Sequence, residues 1–111
     1  MAERKNLSLW VLKYEKWEHK FRIKEVEATE TAKQYQYVEG NGGWKSKGRI
    51  NKCDMVDGCW AGEYDKYVGL SRNAVIERFI SVHETEVRRL KLKIEAEENT
   101  IKIAKELLEN E

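Results

Sequence analysis

From Ser71 to Glu109 the chain contains no Gly or Pro, and apolar residues recur at alternating steps of four and three. Ile76, Ile80, His83, Val87, Leu90, Ile94, Glu97, Ile101, Ala104 and Leu108 fall on a single stripe, the pattern of a long helix whose face seeks a partner. A solitary helix of that length cannot bury its own stripe. Self-association, or packing along a neighbouring layer, is therefore the first expectation for residues 71–109. The stripe leaves open whether the tail is one helix or bends near Glu97-Glu98-Asn99-Thr100.

The rest of the chain is short. Of 111 residues, about seventy precede the helix, enough for one small second layer. Charged residues are 37% of the chain, yet the net charge is only +1, so no global field draws it onto nucleic acid or membrane, and any anion site must be local. No apolar run reaches membrane-spanning length, and the opening Met-Ala-Glu-Arg-Lys lacks the apolar stretch of a secretory signal, so a cytoplasmic protein is expected. Cys53 and Cys59 are then expected as thiols.

Before the helix, aromatic and β-branched residues alternate with charged ones, as in short antiparallel strands. Leu7 to Tyr14 places Leu7, Leu9, Val11 and Lys13 on one face. A turn near Glu15-Lys16 leads into a second strand with Trp17, His19, Phe21 and Ile23 on one face. Lys33 to Glu39 puts Tyr35 and Tyr37 opposite Gln34 and Gln36, and stops at Gly40-Asn41-Gly42-Gly43, with a loop to about Gly48. Arg49 to Val56 and Glu63 to Leu70 are weaker strands, separated by a turn over Gly58 to Gly62. Ser71 is the expected helix N-cap. The expected fold is α+β: an antiparallel sheet of four to six short strands over residues 1–70 and a helical oligomerisation layer over 71–109, forming one domain.

Two segments concentrate positive charge. Trp44 to Lys52 follows the glycines and carries Lys45, Lys47 and Arg49, the ingredients for holding a phosphate, although the spacing is not that of a P-loop; the competing reading is a solvated hairpin tip. Arg88 to Lys93 lies within the helix, with Arg89 and Lys93 on the same side and acidic residues on both flanks, which also suits a charged coiled-coil surface. All four Trp and five Tyr precede the helix, and most are expected in the core; Trp44 and Trp60 stand beside glycine or in an expected turn, where stacking on a base is the alternative.

Catalysis is not expected. His19 and His83 have no serine or cysteine nucleophile at an interpretable spacing, and the cysteines and histidines do not fall at the short intervals of a zinc site, so neither metal nor cofactor is assigned.

Ala32-Lys33-Gln34-Tyr35, the glycine-containing loop, Arg49-Ile50-Asn51-Lys52-Cys53-Asp54, the capped Ser71-Arg72-Asn73-Ala74, Phe79 and the basic heptad-like tail together resemble the phage Thoeris anti-defence sponges of the first type, from about Leu7 to Glu109. The resemblance implies a cytoplasmic homo-oligomer, a hexamer among its forms, built through C-terminal helices. It would sequester cyclic ADP-ribose isomers, and also cyclic oligonucleotides, without catalysis. It points to Arg49, Asn73, Arg89 and Lys93 as ligand contacts at protomer boundaries, with Trp60 and Tyr64 as the stacking rings; Lys93 stands where an arginine is expected. The contrasting expectation is a protein-interaction module acting on a host or phage protein through the helix.

Overall fold

Strand β1, Lys5–Glu15, is the spine of the sheet, paired along all eleven residues with β2, Lys20–Glu30. A computed structural model of the chain describes residues 5–39 and 46–110, the side chain of Ser46 excepted. Beyond β2 lie β3, Gln34–Glu39, and β4, Ser46–Asn51; on the other side of β1 lie β6, Lys66–Gly69, and β5, Cys59–Ala61. The order is β4-β3-β2-β1-β6-β5 and every pairing is antiparallel. One helix, α1, then runs unbroken over Arg72–Glu109. Ser71 caps it as expected, its Oγ accepting the Ala74 N–H at 3.0 Å. The α+β architecture expected from the sequence is thus the one observed.

The alternation of β1 and β3 places Leu9, Val11, Tyr35 and Tyr37 on one face, where Val26, Ala28, Ile50 and Val68 complete a single buried cluster. Trp60 packs against it from β5, five strands away from the β4 residue Ile50, so the sheet must curl into a half-barrel about this inner face. An ion-pair network measures the curl. Glu39 on β3 accepts the Lys66 ammonium of β6 at 2.8 Å and pairs with Lys13 of β1 at 2.9 Å. In a flat sheet β3 and β6 would lie three strand spacings, about 14 Å, apart. Two aromatic rings fill space that glycine leaves: Tyr37 lies over Gly48 and Trp60 over Gly62, each closer to a hypothetical Cβ than any real contact.

On the outer face the β1, β2 and β6 ends meet the start of the helix. Phe79 meets Tyr14, Phe21 and Tyr67 edge-to-face with centroids 5.0 to 5.5 Å apart, Tyr14 and Phe21 lie tilted at 4.7 Å, and Leu12 and Val75 are buried. Gly69 lets the helix approach, because a Cβ there would sit 2.9 Å from Val75 and 3.0 Å from the Gly58 carbonyl oxygen. Burial pushes the Cys59 thiol up to about 11 and the Tyr67 phenol up to about 12, so both stay neutral.

Several expected boundaries move. Trp17 and His19 are not on a strand: β1 continues to Glu15, which pairs with Lys20, and residues 16–19 form the turn, with His19 at φ 50° and Trp17 97% exposed. β2 extends to Glu30 through a charge-rich half, Glu25 to Glu30, that shows too little apolar alternation to be read as a strand. β4 starts at Ser46 rather than Arg49 and gives way to a 3-10 turn over Lys52–Asp54. The expected turn over Gly58 to Gly62 is confined to its start, with Asp57 and Gly58 at positive φ; β5 follows, and a second turn lies at Tyr64 and Asp65, both also at positive φ. The glycines at 40, 42 and 43, together with Trp44 and Lys45, lie outside the described residues. Two compact units result, with the boundary inside α1: residues 1–79 and residues 80–111. No helix among the described residues is long and apolar enough to cross a membrane.

Candidate functional site

Strand pairing on the outer face sets four polar side chains in a row. Asn6 lies opposite Thr29, Thr29 opposite Gln36, and Gln36 opposite Arg49, so the row crosses β1, β2, β3 and β4. Parity places the next row, Ser8, Glu27, Val38 and Lys47, on the same face. Between the rows is a cleft of about 730 Å³, with Asn6, Glu27, Thr29, Gln36, Lys47 and Arg49 in its walls. The intervening residues Leu7, Ala28, Tyr37 and Gly48 line the same cleft.

Neither Lys47 nor Arg49 forms an ion pair with a described residue, and both are exposed. Arg49 offers a planar fork of donors, Lys47 a point charge two residues away on the same side of β4, and Gln36 and Thr29 offer further hydrogen-bonding groups. Among the described residues Glu27 is the one carboxylate lining the cleft, against the two cations Lys47 and Arg49. Such a surface can hold a phosphate or carboxylate by charge-assisted hydrogen bonds. Among the described residues no ring stands with the outward-facing side chains of this cleft, and the groups they offer are polar.

The inner face carries a second group of cations already spent on carboxylates. Lys13, Lys24 and Lys66 surround Glu39, which is 8% exposed, at 2.9, 3.8 and 2.8 Å. Burial alone would raise the Glu39 carboxyl; hydrogen bonds from Lys66 and Lys13 outweigh it and hold the group below its ordinary value. At the other end of the same face Lys52 bonds Glu30 at 2.6 Å and lies over the Tyr35 ring. The Glu39 group ties β3 to β1 and β6 across the inner face, and the Lys52 group ties the end of β4 to β2.

The residues singled out in the sequence are dispersed. Arg49 lines the outer cleft on β4, one edge of the sheet. Trp60 is half-buried on β5, the opposite edge, and faces inward; Tyr64 is 93% exposed in the β5–β6 turn. Asn73 is exposed in the first turn of α1. Arg89 and Lys93 belong to the second unit and are exposed on the helix, where Arg89 grips Glu86 through two hydrogen bonds. That grip holds the Glu86 carboxyl below its usual range. In the single chain Arg49, Trp60 and Tyr64 do not converge. Asn6, Thr29 and Gln36 were not singled out; the signal that finds them is the β3–β4 register, which sets Gln36 opposite Arg49.

A scan of protein-family models, a search of curated proteins and a search of solved structures each returned no match for this chain.

Proposed function

We propose that this chain is a non-catalytic, self-associating protein that sequesters a phosphate-bearing small ligand. Cyclic ADP-ribose isomers and cyclic oligonucleotides are the class to which the resemblance points. The observation that carries the reading is the outer cleft, where Lys47 and Arg49 lack a carboxylate partner among the described residues and stand beside a row of amide and hydroxyl groups. Tight sequestration needs pre-organised donors and slow release rather than proton transfer, and donors fixed on paired strands suit that requirement. The described side chains of the cleft are hydrogen-bond donors, acceptors and cations, which suit the phosphates of such a ligand.

The test is thermal unfolding with cyclic ADP-ribose isomers and with cyclic di- and trinucleotides. A ligand at a hundred times its Kd stabilises the folded state by about 2.7 kcal/mol, a shift of several degrees. Arg49→Glu should abolish the shift with the unliganded melting point preserved, whereas Arg89→Glu should leave it in place. Loss of the shift only in Arg89→Glu would move the site to the helix. Flat curves for the whole panel favour the second reading, a protein-interaction module, which has its own support in the exposed apolar stripe of α1.

A further inference from the structure

The second compact unit is a helix without a layer of its own. Ile80, Val87, Leu90, Ile94, Ile101 and Leu108 are 43% to 77% exposed, although they recur at heptad spacing over about four heptads, a length of roughly 43 Å. Leu92, Ile103 and Leu107 also lie exposed off this stripe, Ile103 and Leu107 four residues apart on one side of the helix.

We propose that residues 80–108 pair in parallel and in register with the same segment of a second copy, forming a two-stranded coiled coil. This deepens, and rests on, the self-association in the proposed function. In the heptad frame the first core position is held by Ile80, Val87, Ile94, Ile101 and Leu108, all apolar and four of them β-branched, which is the first-position half of the pattern that favours two parallel strands. The other core position is held by His83, Leu90, Glu97 and Ala104. Parallel in-register pairing stacks the five aliphatic residues on their own copies and confines the polar residues to two layers. Antiparallel pairing would set each aliphatic residue against a member of the mixed set, bringing His83 and Glu97 against apolar partners.

The flanking charges agree. Parallel strands bring Glu86 of one copy to Lys91 of the other and Lys93 to Glu98, two opposite-charge contacts on each side with no like pair between them. Glu86 is shared with Arg89 of its own helix, an exposed contact that leaves room for the second cation. The facing Glu97 residues weaken their layer, and a polar core residue of this kind fixes register at a cost in stability.

The test uses the full chain with Cys53→Ser and Ala104→Cys. Cys59 is buried and stays out of the reaction. Parallel in-register helices hold the two introduced thiols close enough to oxidise, so a covalent dimer should form in near-quantitative yield, with a light-scattering mass of two chains before oxidation. Leu92→Cys, on the outward side of the helix, should cross-link at least tenfold more slowly. A two-chain mass without cross-linking at position 104 overturns the orientation while self-association stands. A mass above two chains overturns the two-stranded form. A one-chain mass overturns both the coiled coil and the self-association, and ligand-dependent melting of that same sample reports separately on the cleft.

Discussion

Glu39 shows how one residue ties charge to shape. Its carboxylate is buried on the inner face, and it stays ionised because Lys66 and Lys13 hydrogen-bond to it more strongly than burial disfavours it. With the carboxyl held below its ordinary value of 4.5, the folded state keeps the charge to lower pH than the unfolded chain does. Its contribution is therefore complete above about pH 4.5 and is lost as pH falls through the folded value. Glu39→Gln should lower stability near neutrality by about 1–3 kcal/mol, since it removes the charge that Lys13 and Lys66 pair with and sets an amide NH2 donor against one of them. The same variant should lose less stability on acidification than the parent; equal losses between pH 7 and pH 4 in urea titrations would show that the Glu39 charge does not contribute to stability.

At the level of elements, what could be read from sequence followed how far an element's own residues report its environment. Residues 71–109 repeat one period for ten turns, and the helix appeared with its cap where the sequence put it. β3 was equally legible, because Tyr35 and Tyr37 alternate with glutamines. The second half of β2 was not, since Glu25, Glu27 and Glu30 turn it into a charged string held in place by its pairing with β1. Nor was β5, three residues between glycines whose strand character comes only from β6. The candidate site divides the same way: Arg49 stood out by local charge, whereas its row partners Gln36, Thr29 and Asn6 are brought there by register alone. Packing across elements gives a further prediction. Gly69→Ala places a methyl group against Val75 and the Gly58 carbonyl, both fixed, and should cost about 1–3 kcal/mol in denaturant unfolding. An unchanged midpoint would mean that the first turns of α1 are free to shift away from β6.

For the whole molecule, the division at Phe79 separates the two activities that the proposed function combines. Every fully buried hydrophobic residue among those described, from Leu9 to Val75, lies in residues 1–79, and so do Lys47 and Arg49. The stripe from Ile80 to Leu108 contributes none of that core. A chain ending at Glu84 should therefore keep a cooperative unfolding transition, run as a monomer, and bind ligand through the cleft with the affinity of the full chain per site. Ligand titration by calorimetry on the two forms decides between designs. Equal affinities mean that the sheet holds the ligand and the helix only multiplies sites. A folded truncation that has lost binding would mean that the site is completed by a second copy, with Arg89 and Lys93 then the residues to test.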